Sequence, residues 1–216
     1  FNPNKDKLIP FEEWGNIKKL EQPMWFFPNL YKNPQVINEY CQLWLRRDGT
    51  PTVRGKMFYD MFFGENLSPE EYQHIYATML AAETEMWRSL RQTFGVLHLA
   101  ALGYAIPEAI VGDAFKDPRN LVMLDGFDTY VKDAFNPIGI MADFWERKIQ
   151  TGEKKNIEVS LLNDTYRDWN GAVAVRIVDE NQTKVFEQQQ SNVILKSLGE
   201  IRVPFDVNFP ENAGHY

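Results

Sequence analysis

The periodicity of the hydrophobic residues changes near residue 139, and this change limits the folds open to the chain. Residues 1–138 mix aromatic loops with helix-like stretches and short apolar runs. Residues 139–216 are dominated by β-branched residues that alternate with polar ones. A period of two indicates strands with one buried face, whereas a period near 3.6 indicates amphipathic helices. The sequence therefore predicts two domains, 1–138 of α/β type and 139–216 of all-β type.

The second region predicts an antiparallel β-sandwich. Its strand-like segments are separated by turn-forming residues such as those at 164–165, 180–181 and 198–199. Strands at this spacing are typical of an immunoglobulin-like β-sandwich, which has about seven strands. Fewer are found here, so we expect the sandwich to be truncated, with its last strands beyond Tyr216. The predicted strands are 156–162, 171–179, 184–190, 191–197 and 200–209.

The first region predicts alternating strands and helices. An apolar strand over 35–40 precedes a helix that begins at Ser68, where Pro69 and Glu71 complete a capping box. We expect this helix to reach about Thr93 and Gly95 to end it. A strand over 96–102 and a helix over 121–135 follow. This order is the signature of βα units with a parallel sheet, yet two units alone leave both sheet edges open.

A proline-rich aromatic segment, residues 1–34, precedes the first strand. Five prolines make regular structure improbable there, and loops of this length are usually binding loops or linkers. Trp25 and Phe26 lie in this segment, and their rings suit a sugar-stacking surface. The alternative is a loop that folds its aromatic residues onto its own core.

Charge and cysteine content exclude several classes of function. The formal net charge is −7, with 23 Lys+Arg against 30 Asp+Glu, which opposes a basic nucleic-acid-binding surface. No apolar run has the length of about 18 residues that a membrane span needs. The single cysteine, Cys41, excludes an internal disulfide framework and a cysteine-rich metal site. We find no phosphate-binding loop, no dinucleotide motif and no metal-ligand spacing, so no cofactor and no metal are expected.

A family resemblance comes from the end of the first strand. Asn38-Glu39-Tyr40, followed by the Trp44-bearing run up to Thr52, resembles the nucleophile region of family 2 glycoside hydrolases, which include β-galactosidases and β-glucuronidases. The resemblance implies the C-terminal part of a (β/α)8 barrel, with its last two βα units, joined to the immunoglobulin-like domain. The family commonly has glycine where this chain has Cys41.

The resemblance also implies a reaction and roles for particular residues. Glu39 would be the nucleophile of a retaining glycosidase acting on β-linked glycans, since it ends a strand that corresponds to the family's seventh. The acid/base glutamate of the family lies on the fourth strand, which would precede Phe1. The 216 residues alone are then expected to be inactive, with the remainder of the same polypeptide as their partner. An external or periplasmic location is what such enzymes usually have.

Several neighbouring side chains are candidate ligands of the carbohydrate substrate. Asn38 and Tyr40 flank Glu39, and His98 could hydrogen-bond a sugar hydroxyl or orient the nucleophile. The alternative for His98 is a core histidine satisfied by backbone groups. Trp44 and Tyr104 could stack on a sugar ring, although a single aromatic residue is more often part of a core. A different hypothesis for the whole chain is a non-catalytic carbohydrate-binding or interaction module.

Overall fold

A computed structural model describes residues 35–91, 93–98, 101–103, 106, 108–146 and 148–216. The predicted loop over residues 1–34, including Trp25, lies outside the described residues, as does Tyr104. The described chain is mixed and mostly β, with few helices and several small sheets, and it forms no closed barrel. It separates into two compact units, of which one ends at Asn136 and the other begins at Pro137.

The first unit contains a pair of parallel strands, as the strand–helix–strand order predicted. Strand β1 (Gln35–Asn38) pairs in parallel with β2 (Thr93–Leu97), and Asn38 lies opposite Leu97. The connection between them carries two helices, α1 (Val53–Phe62) and α2 (Pro69–Ser89). A parallel pair requires such a crossover, because a short turn cannot return the chain to the same end of the sheet.

Helix α2 confirms the predicted capping box but ends earlier than expected. The Ser68 hydroxyl accepts the amide of Glu71, and the Glu71 carboxylate accepts the amide of Ser68. The helix stops at Ser89, and Arg91 takes a left-handed φ of 51°. The prediction that Gly95 ends the helix is wrong, since Arg91 makes the reversal and Gly95 lies inside β2.

Helix α1 was not predicted from the sequence. Thr52 caps it by accepting the amide of Gly55 at 3.1 Å. Its apolar residues at 53, 57 and 61 are exposed, so the face that carries the periodicity is not the buried one. The buried side of α1 presents Gly55 and Tyr59, and a Cβ at Gly55 would lie 2.4 Å from the carbonyl oxygen of Trp44. This helix is therefore held by close approach of its backbone to that of Trp44, rather than by a buried apolar stripe.

The helix predicted over 121–135 is largely replaced by other structure. Strand β3 (Phe115–Asp117) pairs with the short β4 (Val122–Met123), and a π-helical turn (Phe127–Val131) leads into α3 (Lys132–Ala134). Leu121 and Gly126 have left-handed φ values of 56° and 86°. Neither conformation fits inside a right-handed helix, which explains the difference.

In the part that the structure describes, the second unit has five antiparallel strands in two sheets. One sheet has the order β5-β6-β9 and the other pairs β7 with β8. Side chains from β6 to β9 form one buried apolar core. This alternation of buried and exposed residues is what the sequence predicted for the region. The bounds are β5 (Ile138–Ala142), β6 (Lys154–Asn163), β7 (Trp169–Val178), β8 (Lys184–Leu195) and β9 (Glu200–Asn208).

Two strand assignments in this unit differ from the sequence prediction. The segments 184–190 and 191–197 were expected to be separate strands, but the structure joins them in β8. Between Gly171 and Val173 the register of β7 shifts against β8, and Asn192 has a φ of 57°. This irregularity is a bulge within a continuous pairing rather than a turn. Strand β5 was not predicted.

Candidate functional site

The candidate site is the turn that follows strand β1, residues 39–41. Glu39 has a φ of 66° and Cys41 a φ of 54°, so two of its three residues lie in the left-handed region. For a residue with a Cβ this conformation costs about 1–2 kcal/mol. The turn exposes Glu39 together with Asn38, while Tyr40 and Cys41 are buried. A conformation of this kind persists only where neighbouring groups hold it.

Each of the three turn residues is held by a different group. The Glu39 amide donates to the carbonyl of Leu97 at 3.0 Å, which extends the parallel pairing by one residue. The Tyr40 hydroxyl lies 2.7 Å from the hydroxyl of Thr84 on α2. Because Thr84 itself donates to the carbonyl of Leu80, the proton between the two hydroxyls comes from Tyr40.

The third contact joins the turn to a carboxylate on α2. The Cys41 amide donates to Oε2 of Glu83 at 3.1 Å. Burial raises the pKa of Glu83 to about 7, an effect that this hydrogen bond partly opposes. Burial also raises the pKa of the Cys41 thiol well above its usual value and that of Tyr40 to about 12. At neutral pH the thiol and the phenol are therefore uncharged, which makes Cys41 a poor nucleophile.

His98 lies directly after β2, at the same end of the parallel strand pair as the turn. Its ring centroid is 6.4 Å from that of Tyr40 in an edge-to-face arrangement. The Nε2 atom is buried and has no hydrogen-bond partner in the part of the chain that the structure describes. Burial lowers the pKa of His98, so the imidazole is neutral at pH 7 and above. A buried polar atom without a hydrogen-bond partner is uncommon in folded proteins, which distinguishes His98 from an ordinary core histidine.

The predicted carbohydrate-binding residues do not all occupy comparable positions. Asn38 is exposed beside Glu39, whereas Tyr40 is buried by its contact with α2. Trp44 is only 1% exposed, and the guanidinium of Arg54 lies 5.5 Å from its ring centroid. A ring that stacks on a sugar needs an open face, so the expectation for Trp44 is corrected to a core role.

The loop after β2 is attached to the segment that follows the turn. The side chain of Asp113 is fully buried and accepts from Arg47 Nε and from the amide of Gly103, both at 2.6 Å. Nearby, a Cβ on Gly112 would fall 1.8 Å from the carbonyl oxygen of Leu45. The ion pair and the glycine together bring the two loops at this end of the strands into direct contact. Within the described ranges, no group of three or more potential ligands is arranged to hold a metal.

Glu83 and Thr84 escaped the sequence analysis, although a signal for them exists. They follow Leu80 by three and four residues and precede Trp87 by four and three. This spacing places two polar side chains on the face of α2 that carries Leu80 and Trp87, both of which are buried. A polar residue on a buried helix face requires a partner, and here the partners are Cys41 and Tyr40.

No protein-family model matches the chain, and no curated protein matches it either. The resemblance to family 2 glycoside hydrolases therefore depends on residues 38–52 and on the order of the elements around them.

The left-handed conformation of Cys41 predicts an unusual order of stability for two substitutions. Cys41→Ala and Cys41→Gly both remove the thiol, but only alanine keeps a Cβ at a φ of 54°. We expect the glycine variant to be more stable by about 1 kcal/mol in urea unfolding. At Ala82, inside helix α2, glycine should instead cost about 1 kcal/mol relative to alanine. A Cys41→Ala variant more stable than Cys41→Gly would contradict the assigned turn.

Proposed function

We propose that this chain carries the nucleophile of a retaining glycosidase that acts on β-linked glycans. Under this proposal residues 1–138 are the C-terminal part of a (β/α)8 barrel and residues 139–216 an immunoglobulin-like sandwich. The observation that carries the proposal is the position of Glu39, an exposed carboxylate directly after a strand that has a parallel neighbour. In (β/α)8 enzymes the reacting groups occupy the carboxyl ends of parallel strands.

The geometry around Glu39 suits nucleophilic attack. The backbone amide of Glu39 donates to the Leu97 carbonyl, so this hydrogen bond does not use the side-chain carboxylate. In the first step one carboxylate oxygen would bond to the anomeric carbon, while an acid protonates the departing glycosidic oxygen. In the second step water, deprotonated by the same group, would break the ester and release the sugar with its configuration retained. His98, whose Nε2 has no hydrogen-bond partner among the described residues, would contribute a hydrogen bond.

Exposed apolar residues on the parallel strand pair support the proposal of a larger barrel. Phe94 is 79% exposed and Leu97 59% exposed, although both belong to β2, and Val36 of β1 is also exposed. Parallel strands normally have both faces covered by other elements. The remainder of the same polypeptide would supply that cover under the proposal. It would also supply the acid/base carboxyl, about 5–5.5 Å from that of Glu39.

The two sheets of the second unit support the proposal of an immunoglobulin-like sandwich. Its three-stranded and two-stranded antiparallel sheets enclose one apolar core, as in a sandwich. The described residues of this unit contain five strands, whereas a complete immunoglobulin-like domain has about seven. The described chain also contains no helix that is both long and apolar enough to cross a bilayer.

Trapping of the covalent intermediate tests the proposed function. The full-length polypeptide would be incubated with a panel of 2-deoxy-2-fluoro-β-glycosides that carry a good leaving group, because the fluorine slows hydrolysis of the ester. Mass spectrometry of the digested protein should find one glycosyl group on the peptide that contains Glu39. Absence of any label across the panel, together with glycan binding by the 216 residues alone, would instead support the carbohydrate-binding module. A label on another carboxylate would reject Glu39 as nucleophile.

A further inference from the structure

The amide of Cys41 has a single stabilising partner among the described residues, and that partner is Glu83 of α2. The parallel pairing ends with the bond from the Glu39 amide to Leu97. Two residues later Cys41 is buried, so its N–H has lost both strand partners and bulk water. Glu83 Oε2 accepts it at 3.1 Å. A buried N–H without an acceptor is rare in folded proteins because it costs free energy comparable to a lost hydrogen bond.

The position of this bond matters because of the turn it closes. Glu39 and Cys41 both have left-handed backbone conformations. Extended conformations would compete with them unless neighbouring groups hold the turn. Because Leu43, Trp44 and Leu45 are buried, an extended backbone at residue 41 would have to be absorbed by the turn before it, which would displace the carboxylate of Glu39. Thr84, the next residue of α2, holds Tyr40 at the same time. Two consecutive residues of one helix therefore restrain two consecutive residues of the turn.

We propose that Glu83 is a positioning residue, whose carboxylate fixes the Glu39-Tyr40-Cys41 turn and so aims Glu39 at the substrate. The inference rests on the proposed function, since it assigns Glu83 a task in the same reaction. Glu83 accepts a hydrogen bond from the backbone of residue 41, two residues after the nucleophile. It therefore acts on the reaction through Cys41 rather than by touching the sugar.

The surroundings of Glu83 suit an acceptor of this kind. Tyr40, Cys41 and Tyr76 are its titratable neighbours, and burial raises the pKa of each of them. Arg88, five residues further along α2, lowers the pKa of Tyr40, whereas burial and the Cys41 amide act on the pKa of Glu83. No cation is recorded as a partner of the Glu83 carboxyl among the described residues. Both the acid and the carboxylate retain an oxygen that can accept the Cys41 N–H, and the charged form accepts it more strongly.

Three substitutions in the full-length polypeptide separate positioning from general packing. Glu83→Gln keeps an acceptor oxygen, Glu83→Met removes it at similar volume, and Glu83→Asp withdraws the carboxylate by one methylene. Glu85→Met is the matched control. Burial raises the pKa of Glu85 to about 7 as well, and Glu85 has no recorded bond to the turn within the described chain.

The readouts are kcat and KM on activated aryl β-glycosides and hydrogen exchange at the Cys41 amide. We expect Glu83→Met to lower kcat by about tenfold to a hundredfold with KM nearly unchanged, because a misplaced nucleophile loses rate rather than affinity. Exchange at Cys41 should be faster in the same variant. Glu83→Asp should be intermediate, Glu83→Gln within a few-fold of the wild type, and Glu85→Met unchanged in both readouts.

Several results would overturn the proposal. Wild-type kcat and Cys41 exchange in Glu83→Met would remove any positioning role, and an equal loss in Glu85→Met would reduce the effect to general helix stability. A Glu83→Gln variant as impaired as Glu83→Met, with the basic limb of its pH–rate profile altered, would make Glu83 a proton donor instead. If Glu83→Met does not fold, Glu83→Asp and Glu83→Gln decide by the same criteria.

Failure of the proposed function can be told apart from failure of this inference. A Glu39→Gln variant with full turnover would reject Glu39 as nucleophile, whatever Glu83 does. Cys41 exchange would still show whether Glu83 holds the turn. If Glu39→Gln is inactive and Glu83→Met is fully active, the proposed function stands and the positioning role is rejected.

Discussion

Replacing Glu39 with glutamine is expected to lower kcat of the full-length polypeptide on aryl β-glycosides by about 10⁴-fold or more. The amide cannot form the glycosyl ester, so the double displacement loses its first step. The fold should be unaffected, because Glu39 is exposed and its recorded hydrogen bond uses the backbone amide. Steady-state kinetics with thermal unfolding as a control would measure both. Undiminished turnover would reject the nucleophile assignment.

A second variant at the same position tests the chemistry of the loss. Glycine is favoured at the φ of 66° that Glu39 adopts, so Glu39→Gly should keep the turn while leaving a space for a small anion. We expect azide to restore part of the turnover and to produce a glycosyl azide of inverted configuration. Glu70→Gln, at an exposed position in the first turn of α2, is the control and should retain full activity. An azide-insensitive Glu39→Gly variant would indicate that the carboxylate does not attack the sugar.

Replacing Asn163 with alanine is expected to destabilise the second unit by about 3–4 kcal/mol. Asn163 is fully buried at the end of β6. Its Nδ2 lies within hydrogen-bond distance of three carbonyl oxygens, those of Arg167, Leu195 and Lys196. Its Oδ1 accepts the amide and the hydroxyl of Thr165. Alanine would leave these groups without partners in a place that water reaches poorly.

The matched control for this prediction is Asn156, on the same strand. Its side chain is exposed and makes one recorded hydrogen bond, to Asp206 at 2.8 Å. Asn156→Ala should therefore cost less than about 1 kcal/mol. For a unit of this size we expect Asn163→Ala to lower Tm by about 15 °C or more. Equal Tm values for the two variants would show that the buried amide network contributes little.

Local signals in the sequence predicted several elements of the fold. The capping box at Ser68 and the alternation that marks β6 and β9 are patterns among residues two to four apart, and both are present in the structure. The parallel pairing of β1 with β2 followed from the order of the elements. Helix α1 was missed because a close backbone approach at Gly55, rather than periodic apolar burial, holds it in place.

The candidate site could be predicted only in part. Glu39 was found from its place at the end of a strand and from the resemblance of residues 38–52. Trp44 was expected to stack on a sugar but is buried, because the sequence shows the residue type and not its burial. Glu83 and Thr84 were missed, since each is separated from its partner in the turn by more than 40 residues, 42 for Glu83 and 44 for Thr84.

By itself the sequence indicated the alternating strands β6 and β9, the start of α2 and the position of Glu39 after a strand. These features depend on neighbours within a few residues, and such spacing is written directly in the sequence. Only the tertiary structure decided the left-handed turn at Glu39 and Cys41, its attachment to Glu83 and the burial of Trp44. The physical reason is that these features are set by groups distant in sequence, whose meeting depends on how α2 packs against the end of β1.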